Sequence, residues 1–356
     1  MQIGLIFSSQ GAKIYAHHMN TARYVGNGAL EVVDTEVGPP APGEVQLDVA
    51  YTGICGTDLH ILHGAMDARV TMPAVLGHEM AGRVASIGDG VAGWDVGDPA
   101  TVIPLVSCGA CAACTNGASH ICYRLVFLGI DAPGSMQSHW NVPAGVLVRL
   151  PADLSLQTAA LAEPTAVAVH DVRRSRLAPG ERAVVVGAGP IGLLIANVAR
   201  SVGAEVVVFE PNGLRRQVVE SLDLAAVDPL AEDAAAWVDD WTDGAGAHLA
   251  FEVSGTAAGM STAIGCLGAR GRAVVVGIHA TPPPVDLFRV FWRELTLIGA
   301  RVYERADYEE AVRLLAGGAI PSDTLITDVV PLDGVTDAFR AMDAGESMKI
   351  LIDCGS

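Results

Sequence analysis

Residues 183–198, Ala-Val-Val-Val-Gly-Ala-Gly-Pro-Ile-Gly-Leu-Leu-Ile-Ala-Asn-Val, decide the fold of half of this chain. The stretch opens with an apolar strand candidate, turns at Gly187, Gly189 and Gly192, and continues with apolar residues at helical spacing. In such a unit the first glycine permits the turn, the second lets the backbone approach a pyrophosphate, and the third lets the helix pack on the strand. The helix start at Pro190-Ile191 offers free N–H groups to the phosphates. The pattern predicts a dinucleotide-binding turn.

Glu210 bears on which dinucleotide is bound. It follows the next strand candidate, Glu205–Phe209, and lies 23 residues after Gly187. A carboxylate at this point can bind both ribose hydroxyls and repels a 2′-phosphate, which favours NAD over NADP. Arg215 and Arg216 follow closely, and they keep NADP open because arginine can accommodate a 2′-phosphate. We include Arg215 among the coenzyme-binding candidates; a turn that serves only helix–sheet packing is the structural alternative.

Two patterns extend outward from this turn. After about residue 182, strand candidates alternate with helical stretches, which predicts an α/β fold with a doubly wound parallel sheet. Residues 30–148 contain short β segments with frequent Gly and Pro, which predict an irregular β-rich domain. Residues 1–18 lack this periodicity, and we interpret them as an N-terminal extension before a natural start at Met19. A real extra strand at Gln2–Phe7 is the alternative.

The composition excludes several classes of protein. The 356 residues are 51% hydrophobic and 17% charged, which is enough for two buried cores and too apolar for a disordered chain. The formal net charge of −18 would repel nucleic acid and anionic lipid, so we expect neither nucleic-acid nor membrane binding. No segment has the pattern of a spanning helix or a signal peptide, and we expect a cytoplasmic protein.

Four of the seven cysteines form the cluster Cys108-x-x-Cys111-x-x-Cys114-x7-Cys122. Four thiolates at these spacings can close a tetrahedral zinc site, which is structural because no coordination position is left for a substrate. An iron–sulfur cluster is the alternative, but the ferredoxin pattern places its fourth cysteine after three residues and before a proline. The cluster and the odd number of cysteines favour reduced thiols over disulfides.

A second constellation lies upstream of this lobe. The segment Gly53-Ile54-Cys55-Gly56-Thr57-Asp58-Leu59-His60 is followed by Gly77-His78-Glu79-Met80-Ala81-Gly82. A lone histidine in an apolar stretch is usually structural. A cysteine and a His-Glu pair in a glycine frame, all within 25 residues, point instead to a functional site.

With these motifs the chain resembles the zinc-containing medium-chain dehydrogenases over essentially everything after Met19. The two segments above, the cysteine lobe and the dinucleotide turn occur in the family's order. Residues 160–164 (Ala-Leu-Ala-Glu-Pro) and 169–174 (Val-His-Asp-Val-Arg-Arg) resemble the sorbitol and butanediol dehydrogenase branch most closely. The resemblance implies a GroES-like catalytic domain at 19–165 and 304–356, with the zinc lobe at 107–123, and a Rossmann NAD-binding domain at 166–303.

The resemblance also implies two zinc ions per chain, one catalytic and one structural. Cys55 and His78 would bind the catalytic zinc, and a carboxylate beside them would come from Glu79 or Glu163. The sequence leaves both glutamates open. Zinc would act as a Lewis acid on an alcohol that releases hydride to NAD.

Three residues of the first segment would support this chemistry. Asp58 would orient the histidine ligand. Thr57 would accept the proton of the alcohol, and His60 would pass it to solvent. For His60, a surface histidine without a role is the alternative.

The implied function is oxidation of a secondary alcohol, diol or polyol by NAD, and the reverse ketone reduction. Related alternatives are an L-threonine 3-dehydrogenase-like or an alicyclic alcohol dehydrogenase. A non-catalytic nucleotide-binding relative is the alternative from another class. Family resemblance also implies a homotetramer or a homodimer.

Overall fold

The computed structural model describes the backbone of residues 4–7 and 13–355 and the side chains of residues 19–355. The chain folds into two units. The first runs up to Glu163 and resumes at Leu325, and the second is Pro164–Thr324. The sequence assignment placed residues 304–324 with the catalytic domain, whereas here they belong to the second unit. No helix of the described part is long and apolar enough to cross a membrane.

The first unit is mainly β-structure with short helices. Its strands are β1 (Gly4–Phe7), β2 (Lys13–Gly26), β3 (Ala29–Val37), β4 (Glu44–Gly53), β5 (Ala74–Val75), β6 (Glu79–Ile87), β7 (Pro99–Val102), β8 (Leu105–Val106), β9 (Val126–Phe127), β10 (His139–Pro143), β11 (Leu147–Arg149), β18 (Ile326–Pro331) and β19 (Lys349–Asp353). Its helices are α1 (Gly56–Leu62), α2 (Ala112–Thr115), α3 (Leu156–Ala159) and α12 (Val335–Asp343).

Strand β4 organises the larger sheet of this unit. One edge of β4 pairs antiparallel with β6, and the other edge is shared between β10 and β19. Val45, Leu47 and Val49 are buried at alternate positions, as expected where one face of a strand covers a core. The arrangement brings the start of β6 and the start of β19 to the same end of β4.

A smaller antiparallel sheet contains β1, β2, β3 and β5. Gly4–Phe7 pairs with residues 13–16, so the described backbone of the first 18 residues includes the strand that the alternative interpretation expected. The side chains of these residues lie outside the described part of the chain. The start at Met19 stays a prediction.

The second unit has the alternating pattern of strand and helix. Its strands are β12 (Arg182–Val186), β13 (Glu205–Phe209), β14 (Ala225–Val227), β15 (Ala247–Glu252), β16 (Leu267–Val275) and β17 (Thr296–Gly299). Its helices are α5 (Pro190–Val202), α6 (Gly213–Ser221), α7 (Ala234–Trp241), α8 (Ala257–Gly265), α9 (Leu287–Trp292) and α10 (Arg305–Ala316). Two helices cross the unit boundaries, α4 (Ala162–Ser175) and α11 (Ser322–Leu325).

All six strands of the second unit are parallel, in the order β14-β13-β12-β15-β16-β17. This is the order of a dinucleotide-binding sheet, with the switch point next to β12. Val184, Val207 and Ala250 are fully buried in its core. The predicted fold class, a β-rich domain beside a doubly wound parallel sheet, is confirmed.

Candidate metal centres and coenzyme turn

Cys55 lies where β4 ends and α1 begins. It precedes the first residue of α1, and its backbone N–H donates to Asp58 Oδ2 at 2.9 Å, which closes the helix start. This local structure holds the Cys55 thiol at the end of the sheet. Thr57 is half-buried on the same short helix, and His60 is exposed farther along it.

His78 enters the site from the turn before β6. It follows Gly77, whose φ of +92° suits glycine, and its imidazole packs edge-on against Phe127 with ring centroids 5.2 Å apart. Asp58 Oδ1 lies 3.7 Å from His78 Nδ1, beyond a hydrogen bond but close enough for a strong charge interaction. The ligand atoms of Cys55, His78 and Glu79 all lie within 4.8 Å of one another.

Glu79 is held by a residue from the far end of the chain. Lys349 Nζ donates to Glu79 Oε2 at 2.6 Å, to Glu79 Oε1 at 2.9 Å and to the carbonyl of Ile54 at 2.9 Å. Gly53 lies between them on β4, paired on one side with Glu79 and on the other with Leu351. A Cβ at Gly53 would collide with Glu79 Oε2, so this glycine lets the carboxylate cross β4.

Glu163 stands in the first turn of α4 and is 4% exposed. Its ligand atoms are not part of the set that converges within 4.8 Å, but its charge acts on both His78 and Lys349. Two carboxylates therefore stand near the thiol and the imidazole, with different partners.

The electrostatics of the site fit a cation. Burial disfavours the charged imidazolium, but the charges of Asp58, Cys55 and Glu163 outweigh it and hold the pKa of His78 well above its usual range. Burial likewise opposes the ammonium of Lys349, yet Glu79 and Cys55 raise its pKa. A thiol, an imidazole and a carboxylate that converge in a negative field are the donor set of a catalytic zinc site.

The four-cysteine lobe also fits a metal. The sulfur atoms of Cys108, Cys111, Cys114 and Cys122 lie within 4.8 Å of one another, and all seven cysteines of the chain are free thiols. Backbone N–H groups of Cys108 and Arg124 each lie 3.3 Å from Cys122 Sγ. A hydrogen bond from the Ala110 backbone is the largest influence that lowers the pKa of Cys108 to about 5. The pKa of Cys111 is also lowered, whereas burial raises the pKa of Cys114 to about 11, so it is the convergence of the four sulfur atoms that fits a structural zinc site.

The glycine turn lies between β12 and α5, as predicted. Gly187 has φ +107°, Gly189 precedes the first residue of α5, and Pro190 opens the helix. A Cβ at Gly192 would collide with the carbonyl of Gly187, whereas a Cβ at Gly189 would meet nothing within 4 Å. The third glycine therefore serves close packing, and the second leaves the turn open on its outer side.

Glu210 braces the turn. Its Oε2 accepts from the Ala188 N–H at 2.7 Å and its Oε1 from the Asn212 N–H at 2.8 Å. Arg216 is committed to the same loop, because it donates to the Glu210 and Pro211 carbonyls and pairs with Asp228 at 3.1 Å. The sequence interpretation did not foresee either structural role.

Lys349 is the site residue that sequence reasoning missed. One signal for it was present, because the chain has only two lysines, Lys13 and Lys349, among its 22 basic residues. Lys349 opens the apolar run Ile350–Ile352, where a charged residue needs a buried partner. Its partner Glu79 lies 270 residues away, so spacing alone does not reveal the pair.

Two family models match the chain. The model described as the alcohol dehydrogenase GroES-like domain matches residues 41–152, and the model described as zinc-binding dehydrogenase matches residues 190–317. The chain belongs to the zinc-binding alcohol dehydrogenase family. Membership of this family confirms the predicted cofactors, zinc and a nicotinamide dinucleotide.

Individual relatives narrow the branch. A 2-dehydro-3-deoxy-L-galactonate 5-dehydrogenase of Pseudoalteromonas atlantica is 50% identical, over 95% of this chain and 99% of that protein. A sorbitol dehydrogenase of Halalkalibacterium halodurans is 31% identical, over 92% of this chain and 96% of that protein. The structure of 2R,3R-butanediol dehydrogenase from Bacillus subtilis matches with a TM-score of 0.87 and 30% identity, over 94% of this chain and 99% of that one. The predicted dehydrogenase activity on alcohols and polyols is confirmed.

Proposed function

We propose that this chain oxidises a secondary hydroxyl of a sugar acid with NAD and reduces the corresponding ketone in reverse. The convergence of Cys55, His78 and Glu79 carries the proposal, because three protein ligands leave a metal position open for a substrate oxygen. Bound zinc supplies Lewis acidity there, which lowers the pKa of the alcohol. Glu163 is the second carboxylate of the site and an alternative ligand.

The residues of α1 have supporting roles in this proposal. The hydroxyl of half-buried Thr57 would accept the proton of the alcohol while it passes its own proton to the nicotinamide ribose, and exposed His60 would exchange that proton with water. Asp58 fixes the helix start through its bond to the Cys55 N–H, and its Oδ1, 3.7 Å from His78 Nδ1, would orient the histidine ligand. None of these groups requires a further cofactor.

The coenzyme proposal is NAD rather than NADP. Glu210 is fixed by two backbone N–H groups at the carboxyl end of β13, where a coenzyme ribose is bound in this fold. A carboxylate in that place repels a 2′-phosphate. Arg216 is tied to Asp228 and to two carbonyls, which leaves Arg215 as the basic candidate for coenzyme contact.

Sequence similarity supports a sugar acid over a plain polyol. The galactonate-derived relative shares 50% of its residues with this chain, against 31% for the sorbitol dehydrogenase. We propose a substrate like that of the first relative, an open-chain hydroxy acid oxidised at carbon 5. The catalytic domain proposed for it starts at residue 19 and follows the first unit, the proposed coenzyme domain is the second unit at Pro164–Thr324, and the proposed assembly is a homotetramer or homodimer.

A substrate panel tests this function. NADH formation is followed with 2-dehydro-3-deoxy-L-galactonate, L-galactonate, sorbitol and 2,3-butanediol, and each is repeated with NADP. We expect the highest kcat/KM for the deoxy sugar acid with NAD, and two zinc ions per chain. A clear preference for sorbitol or butanediol would overturn the substrate. One zinc per chain, with no turnover of any alcohol, would overturn the enzyme itself.

A further inference from the structure

We propose that Lys349 is the charge-compensating residue of the catalytic metal site, and that it lets two glutamates stand beside one zinc ion and one thiolate. The inference rests on the proposed metal site. Lys349 touches neither substrate nor coenzyme in this proposal; it is a positioning residue that acts through Glu79.

All three hydrogen-bond donors of the Lys349 ammonium are used within the metal site. Its ammonium is 2% exposed, and its three hydrogen bonds go to the two oxygens of Glu79 and to the Ile54 carbonyl. Ile54 directly precedes Cys55, so the same ammonium is anchored to the backbone that carries the thiol. Gly53 has no side chain, and the space above it holds the Glu79 carboxylate that pairs with Lys349.

The charges of the site explain why a cation is needed there. Zinc brings two positive charges, and Cys55, Glu79 and Glu163 bring three negative charges. Lys349 balances the charge of zinc and these three candidate ligands, whereas without it the same set would carry one excess negative charge; Asp58, which faces His78, is a further carboxylate outside the set. Excess negative charge holds a metal ion more tightly but makes it a weaker Lewis acid, because less positive charge is left to polarise the alcohol.

The choice of lysine fits this role. All other basic residues from position 14 onward are arginine or histidine, yet this buried position carries lysine. An ammonium is a compact point charge on a flexible stem, while a guanidinium is a planar fork that needs more room and more acceptors. The pocket offers three acceptor atoms around one point, which matches the three N–H donors of lysine.

The test uses three variants of the full chain loaded with zinc: Lys349→Met, Glu79→Gln and the double variant. The double variant removes both charges and leaves no buried unpaired ion, so it folds even if one single variant does not. Two properties are measured. The first property is the half-life of the catalytic zinc during exposure to the chelator dipicolinate. The second is the pH dependence of kcat.

Charge compensation predicts an order. Lys349→Met keeps its zinc about tenfold longer than the wild type, because a positive charge that repels the metal is gone, and Glu79→Gln loses it about tenfold faster, because a charged ligand is gone. The double variant retains zinc better than Glu79→Gln alone. In Lys349→Met the pKa seen in kcat moves to higher pH, because the metal polarises the alcohol less.

Other results would overturn the inference. If Lys349→Met loses zinc as fast as Glu79→Gln, Lys349 only holds a ligand in place. If its zinc retention and kcat profile equal those of the wild type, Lys349 is structural and not coupled to the metal. These outcomes differ from a failure of the proposed function, in which the wild type itself binds one zinc or oxidises no alcohol.

Discussion

Asp171 is a residue outside the metal site whose burial lowers the stability of the folded protein. It is fully buried in the second unit, and neither carboxylate oxygen has a hydrogen-bond partner among the described residues. Burial, with a smaller contribution from Asp307, raises the pKa of Asp171 well above its ordinary value. Neighbouring His170 and Arg173 are engaged with Asp307, at 2.8 Å and 2.7 Å. His170 is therefore a packing histidine with a carboxylate partner.

The variant Asp171→Asn should be more stable than the wild type at pH 8, by more than about 1.4 kcal/mol, the free energy of one pKa unit, because the amide needs no proton to stay uncharged when buried. The folded pKa is raised, so the stability that this carboxyl contributes is complete below the unfolded pKa of about 3.9 and is lost as the pH rises through the folded pKa. The gain should therefore shrink towards pH 4. Denaturant unfolding across this range measures it, with exposed Asp240→Asn as control. A gain independent of pH would contradict the assignment.

Local spacing in the sequence predicted some residues of the candidate site but not those that depend on long-range contacts. Cys108 to Cys122 lie within one loop, so their spacing was enough to predict a metal lobe. The contact of Lys349 with Glu79 depends on β19 pairing with β4 at a separation of about 300 residues, and no local pattern encodes such a pairing. The second roles of Glu210 and Arg216 were likewise hidden, because they consist of bonds to backbone groups that any sequence offers.

Among the secondary-structure elements, the turn between β12 and α5 contains glycines with two different roles, close helix packing and coenzyme binding. Gly192→Ala should destabilise the second unit and weaken NAD binding together, because the new Cβ collides with the Gly187 carbonyl. Gly189→Ala should leave the unfolding midpoint near that of the wild type, because its Cβ meets no protein atom within 4 Å. It should still weaken NAD binding by about tenfold or more, since the backbone there must approach the pyrophosphate.

Thermal unfolding without coenzyme and NAD titration by fluorescence separate these effects. If Gly189→Ala lowers the melting temperature as much as Gly192→Ala, the turn serves packing alone. The bounds of β13 were predicted to the residue, since Val206–Phe209 is an apolar run between Glu205 and Glu210. The start of β16 was not, because Leu267 precedes two glycines that conceal its strand pattern.

At the scale of the whole molecule, one surface of the second unit is unusually apolar. Phe288, Phe291 and Trp292 of α9 are each at least 70% exposed, and the Phe288 and Trp292 rings stack at 5.9 Å. Next in the chain comes β17, the edge strand of the parallel sheet, with one side unpaired in the described structure. Exposed aromatic clusters and open sheet edges mark association surfaces, and a second copy of this chain would cover both.

If α9 forms the interface of the proposed homo-oligomer, the variant Phe291→Asp should shift the protein towards the monomer, because a charge in the centre of an apolar contact is left without a partner. Light scattering after size-exclusion chromatography measures the mass. Leu230→Asp is the matched control, since Leu230 is 84% exposed but isolated from this surface. Equal masses for Phe291→Asp and the wild type, both above the monomer mass, would place the interface elsewhere.

The place of β19 in the chain also matters while the protein is being made. The strand pairs with Tyr51–Gly53 of β4, yet it leaves the ribosome only after the entire second unit has been translated. At the usual pace of synthesis this delay is roughly 15–60 seconds. During that time the second unit can fold, while this end of β4 is not yet paired with β19 and Glu79 lacks its partner Lys349. The nascent chain thus acquires its coenzyme fold early and its reaction centre last, and a chaperone that shields open strand edges should bind it within this interval.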